Sequence, residues 1–355
     1  MRKERGINIL VSDCKAYPSL HTPRLILISL LLLLSACSDT NNQPLQFTGP
    51  TMGTTYSVAI TPPYPEIATG LEDKIHALLD EINAGMSTWI EDSELSRLNR
   101  NDSSDWVSVS NDLYTVLSAA EAISRKTDGA FDITIGAVVN LWGFGPDENG
   151  RQLPGKDEII SLMQATGYQK LSLQDTPPAV RKYPGSYLDL SGIAKGYGVD
   201  RIADLLEELG IDNYLVEIGG EIRARGRNRR NQSWRVGIER PQDETRTVRD
   251  IIALDNAAMA TSGGYRNFIT HDGIRYSHTI DPATGWPVAH NLTSVTVLHD
   301  TAMVADALAT ALLVMGPDKG YTYAEENKIA ALFIVNNNGI FNEKYTSPFL
   351  PHLIQ

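Results

Sequence analysis

The sequence predicts an α+β fold: a single large domain of mixed sheets with packed helices, a bilobed arrangement remaining open. Two observations carry this. Strand-like and amphipathic helical runs are interspersed without the βαβ alternation of a doubly wound sheet. Neighbouring strand runs are joined by short glycine-bearing turns, as in hairpins. No long linker, low-complexity block or repeat follows residue 46, so one domain spans 47–355.

The first run, "QFTGPTMGTTYSVAI" (46–60), reads as a strand pair or one bulged strand, broken at Gly49-Pro50 and Gly53. In "LEDKIHALLDEINAGMS", Leu71, Ile75, Leu78, Leu79 and Ile82 fall on one helical face. A second helix, "NDLYTVLSAAEAISRKT", starts near residue 111 and stops at Asp128-Gly129. "KDEIISLMQAT", ended by Gly167, is a third, and "GYGVDRIADLLEELG", ended by Gly210, a fourth. "NYLVEIGGEIRARG" and "SWRVGIE" alternate as paired strands. "DIIALD" follows, then "NFIT" and "IRYSHTI", joined by an Asp272-Gly273 turn. "SVTVLHD" is a strand, "TAMVADALATALLVM" a fifth helix closed by Gly316-Pro317, and "ALFIVNNNGIF" a terminal hairpin. The basic stretch "RARGRNRR" (223–230) reads as a solvated hairpin loop, with a docking patch for an acidic partner as the alternative.

At the N-terminus, the ten apolar residues "LILISLLLLL" (25–34) are too short for the ~20 residues of a membrane-spanning helix. Basic residues precede them and "LSAC" follows, the layout of a signal peptide over 1–36. Ser35 and Ala36 before Cys37 resemble a bacterial lipoprotein processing box. Cys37 is then the expected lipidation (palmitate) site and "SDTNNQPLQ" completes a polar tether over 37–46. An ordinary secretory signal is the other reading. Processing would remove five Lys/Arg and two Asp/Glu, taking the net charge from −12 to −15. Cys14 leaves with the signal, so no thiol remains for a disulfide, a nucleophile or a sulfur-bound metal. An exported chain this acidic lacks the positive field that gathers phosphate backbones, so nucleic acid is excluded as a partner.

Three clusters hold candidate chemistry. "DLSGIAKGYGVD" (189–200) surrounds Lys195 with glycines where a strand gives way to a helix, a turn suited to approaching an anion. It is neither a dinucleotide fingerprint nor a P-loop, and a plain tight turn with an exposed lysine competes with that reading. In "VADALATAL" (304–312), Asp306 and Thr310 stack four apart on one helix face. Their oxygens suit Mg²⁺ better than zinc or copper. An aspartate at a helix edge near water is the alternative, since an uncompensated buried carboxylate is costly. In "SHTIDPATGWP" (277–287), a strand period of two puts Tyr276, His278 and Ile280 on one face ahead of an Asp-Pro-x-x-Gly turn. His278 is either a strand-end residue or a group aimed at a site.

Taken together, "TMGTTYS", "DGAFDITIGAVVNLWGFG", "DLSGIAKGYGVD", "EIGGEIRARG", "ATSGGYRNF", "SHTIDPATGWP" and "ADALATAL" resemble the ApbE family, the FAD:protein FMN transferases, in order and spacing from about residue 47 to 346. The resemblance implies Mg²⁺-dependent transfer of FMN from FAD to a Ser/Thr hydroxyl of acceptor proteins, with AMP released. The implied acceptors carry a short Ser/Thr-containing flavinylation motif, as in membrane redox-complex subunits. The implied location is the periplasmic side of a bacterial membrane, lipid-anchored, the inner membrane favoured. By matching position, Met52, Trp89, Ala130, Phe131, Asp132, Ser191 and Ile280 line the FAD site, with Lys195 beside the pyrophosphate. The Ala194 carbonyl, Asp306 and Thr310 hold the metal, and His278 is the catalytic base working with Asp306. Ala309 stands where some relatives carry a second Asp, and Gly264 where relatives often have Ser or Asp. A Mg²⁺-dependent FAD pyrophosphatase and a non-catalytic flavin-binding lipoprotein are the rival functions.

Overall fold

The computed structural model describes residues 44–61, 69–146, 153–239, 248–264 and 267–354. Cys37 and the expected signal lie outside them. The expected tether is described only at its end, where Leu45 and Gln46 already belong to the first strand.

Eight strands form one antiparallel sheet whose spatial order is the chain order: β1 (Leu45–Thr51), β2 (Thr54–Ile60), β3 (Tyr214–Ile218), β4 (Glu221–Arg225), β5 (Ala257–Gly263), β6 (Leu292–His299), β7 (Ala330–Asn337) and β8 (Ile340–Tyr345). β1 and β2 are the expected strand pair, turning at Met52-Gly53 with φ of 47° and 71°. Four long helices accompany the sheet: α1 (Leu71–Met86), α2 (Asn111–Lys126), α3 (Ala194–Glu208) and α4 (Ala302–Met315).

The alternation of β7 shows how the layers stack. Ala331 and Phe333 join the helix-side core with α2 and α4, whereas Leu332 and Ile334 point to the opposite face. There the hairpin of Trp234–Glu239 and Val248–Leu254 covers the sheet through Val236, Ile238, Ile252 and Leu254. α1 and α3 bury Ile75, Leu79, Val199 and Ile202 against Val58, Ile60 and Val216 of β2 and β3. The α+β expectation holds.

Several elements differ from the sequence reading. Strand β5, "AAMATSG", was not expected, because Ala, Ser and Gly are poor strand formers; pairing with β4 on one side and β6 on the other supplies what propensity lacks. The short helix Glu94–Arg100 was also unexpected, although Ser93 caps it by accepting from Ser96 N–H at 2.9 Å. The Ile274–Ser277 strand stops one residue before His278, and Ile280 instead bridges Pro287. Of the basic stretch, only 226–230 is loop. Arg223 and Arg225 lie on β4 and pair with Asp200, Glu207 and Asp212 around α3, so their charge is spent within the fold.

Candidate active site

The ends of β3 to β5 and the starts of α3 and the His278 segment enclose a cavity of about 590 Å³ with one face of α4 as its wall. Asp306, Thr310 and Val314, four residues apart, follow one helical stripe into it. The structure brings Ala130, Phe131, Asp132, Ser191, Lys195, His278, Ile280, Asp306 and Thr310 to this one lining. They come from four stretches spread over 180 positions of sequence, which local pattern alone does not join.

Asp306 is 3% exposed, so the helix-edge alternative fails. Its burial is compensated from two sides. Lys195 Nζ stands 3.6 Å from Oδ2, and the Gly196 backbone N–H donates to the same oxygen at 3.2 Å. The lysine reaches a second buried carboxylate, Glu221, at 2.9 Å. One ammonium thus faces two carboxylates. Burial pushes the Glu221 carboxyl up while Lys195 pulls it back down, and burial likewise raises Asp306 against the same lysine. Burial disfavours the Lys195 charge, but Asp306 and Glu221 outweigh it, so its pKa rises and it stays an ammonium.

Around this cluster, Gly192 lies where a Cβ would come 3.2 Å from both Phe131 and the Thr310 hydroxyl, leaving room for that oxygen to face the cavity. Thr310 Oγ1 is 3.0 Å from Ser262 Oγ on β5. Asp189, on the turn before α3, holds Ser191 through its N–H at 2.9 Å and its hydroxyl at 3.1 Å. Asp132 spends its carboxylate on the Thr134 N–H and hydroxyl and the Tyr168 N–H, so it shapes the wall rather than presenting a free charge.

His278 is half-buried at the rim. Its Nδ1 lies 3.0 Å from the Asn267 carbonyl. A carbonyl only accepts, so Nδ1 carries the proton and Nε2 is left with the lone pair. Burial lowers the imidazole pKa, the Asn267 bond opposes this, and Lys195 adds to the lowering while Asp189 opposes it. A neutral imidazole with a bare Nε2 is a proton acceptor.

Met52, Trp89 and Ala194 do not line the cavity. Met52 packs into the core beside Gly198, Trp89 is 68% exposed in the loop after α1, and Ala194 sits against the core as the first residue of α3. Conversely, sequence reading did not single out Asp189, Glu221 or Ser262. All three sit inside motifs already quoted, "DLSGIAKGYGVD", "EIGGEIRARG" and "ATSGGYRNF", and for the two carboxylates an acidic residue in a glycine turn was the available signal.

Among the described residues no group of three His, Cys, Asp or Glu side chains is arranged to hold a metal ion. The donors here are instead one carboxylate and hydroxyl oxygens beside an open volume. That set fits Mg²⁺, which is commonly held by one or two carboxylates together with substrate phosphates. It does not fit a thiolate or imidazole metal.

Comparison with known proteins identifies the family. The family model described as "ApbE family" matches residues 52–333. A protein of Vibrio cholerae named FAD:protein FMN transferase is 44% identical over 93% of this chain and 98% of its own length. One of Haemophilus influenzae with the same name is 40% identical over 92% and 96%. The solved structure of the flavin transferase ApbE from Vibrio cholerae superposes with a TM-score of 0.81, covering 88% of this chain and all of that one at 44% identity. The apo flavinyl transferase ApbE of Pseudomonas stutzeri gives 0.79 at 37% identity, over 88% and 97%. With the match running through the cavity-forming segments from the β1–β2 turn to β7, this chain belongs to the ApbE family.

Proposed function

We propose that this chain transfers FMN from FAD to a Ser or Thr hydroxyl of acceptor proteins in a Mg²⁺-dependent reaction that releases AMP. The observation that supports it most is the placing of His278, Asp306 and Thr310 on one cavity of a family whose named relatives are FAD:protein FMN transferases. Phe131, Ile280 and the Asp189–Gly192 turn would hold the flavin end, with Lys195 near the diphosphate. Asp306 and Thr310, together with the Ala194 carbonyl that the family resemblance adds, would hold Mg²⁺, which when bound neutralises charge on the diphosphate oxygens.

His278 takes the proton from the acceptor hydroxyl at Nε2 as that oxygen attacks the FMN phosphorus. A new P–O bond forms to the acceptor. The bridging P–O bond breaks, and its electron pair leaves with AMP. Acceptors with a Ser/Thr-containing motif, such as membrane redox subunits, follow from the family resemblance.

We further propose that residues 1–36 are a signal, 37–46 a tether and 47–355 the transferase domain, anchored by lipid on Cys37 at the periplasmic face, the inner membrane favoured. The support is the sequence layout. Among the described residues no helix is long and apolar enough to cross a membrane.

The test is to incubate the protein with FAD, Mg²⁺ and a candidate acceptor, following AMP and the acceptor mass. A flavinyl-phosphate adduct on Ser/Thr supports transfer. Free FMN with AMP and an unmodified acceptor would instead make the chain an FAD pyrophosphatase. Bound FAD without AMP would make it a carrier.

A further inference from the structure

We propose that Glu221 is a positioning residue that draws the Lys195 ammonium away from Asp306 and so keeps that carboxylate open to a divalent cation. This rests on reading Asp306 as a metal ligand. Lys195 is shared unequally, 2.9 Å from Glu221 Oε1 and 3.6 Å from Asp306 Oδ2. Both carboxylate residues are 3% exposed, so neither has bulk water as an alternative partner.

Glu221 also has capacity to spare. Its Oε2 is buried and accepts no hydrogen bond among the described residues. An ammonium carries three donors, so Lys195 can serve both oxygens of one carboxylate. When a cation approaches Asp306 it repels Lys195, and Glu221 is the acceptor within reach. Glu221 is itself fixed as the first residue of β4, paired with Ile218 across the Gly219-Gly220 turn. Without its charge, the ammonium would settle on Asp306 and compete for the same oxygens.

Mn²⁺ binding measures this without turnover. Free Mn²⁺ is read by electron paramagnetic resonance, with FAD present and no acceptor. Glu221→Gln keeps the shape and should weaken Mn²⁺ binding about 10–100-fold, the usual effect of losing a residue that orients a metal ligand. Glu221→Asp, which keeps the charge, should bind close to wild type. In a Lys195→Met background, Glu221→Gln should have no further effect, because no ammonium remains to be held. Equal loss in both backgrounds, or none in either, overturns the proposal. Should Asp306→Asn bind Mn²⁺ like wild type, the metal-ligand reading itself fails, and that outcome is separable from the others.

Discussion

The Gly196 backbone N–H donates to the Asp306 carboxylate at 3.2 Å, joining two residues 110 positions apart where α3 packs on α4. A Cβ on Gly196 would lie 2.3 Å from the Ala302 carbonyl oxygen and 2.7 Å from Met303 Cα. Only glycine lets the helices meet so closely, and the same contact brings Lys195 to Asp306.

Gly196→Ala therefore has to push backbone against backbone. Overpacking of this kind costs about 1–3 kcal/mol or more. Calorimetry should show a lower Tm, and Mg²⁺-dependent transfer should fall with it, because the displaced helix carries Asp306. An unchanged Tm would show that the two helices separate freely.

Asp200 acts one turn further along α3, accepting from the Ala302 and Met303 N–H groups at 2.9 Å each, where α4 begins. Asp200→Ala leaves those donors without that partner and frees Arg223 from its 3.2 Å pairing. Hydrogen bonds to a charged group contribute about 1.5–3 kcal/mol, so a denaturant titration should show a loss of that order. A change near zero would mean that water replaces the carboxylate at the start of α4.

Asp306→Asn keeps the shape but removes the one carboxylate proposed as a ligand. Transfer should collapse and recover only partly at high Mg²⁺. Full activity at micromolar Mg²⁺ would place the ion elsewhere.

How much of this was legible beforehand follows from the kind of signal each part leaves. Helix α1 declared itself by the spacing of Leu71, Ile75, Leu79 and Ile82, all buried on one face. Strand β5 left almost none, since its Ala, Ser and Gly residues are strands only by virtue of β4 and β6. The Asp306–Thr310 pair was visible as helical spacing. The Lys195–Glu221 contact was not, because it depends on two glycine turns meeting in space. Trp89 was expected at the flavin and lies exposed outside the cavity, a placement that no local pattern predicts.

Cys37→Ser tests the anchor. On the proposed lipoprotein reading, lipid on Cys37 is what holds the protein to the bilayer, so the variant should be released in soluble form or remain unprocessed. Recovery of cleaved variant in the membrane fraction would contradict the lipoprotein reading.

The pH dependence of transfer follows from His278. With His278 as the proposed proton acceptor, the active form is the neutral imidazole, so the rate should rise with pH through its pKa. Burial depresses that pKa below the ordinary 6.5. The acid limb should therefore lie below pH 6.5, with a flat rate between pH 7 and 8. A limb centred above the ordinary value would mean that another group accepts the proton.

The most direct measurement pairs FAD affinity with the single-turnover rate of flavin transfer in His278→Ala. FAD should bind nearly as in wild type, because the residues proposed to hold the cofactor, Phe131, Ile280 and the turn before α3, are untouched. The rate should drop about 10²–10⁴-fold, the usual share of a positioned acid–base group, and the acid limb should vanish. Weak FAD binding with a normal transfer rate once saturated would contradict the account and leave His278 a structural residue at a strand end.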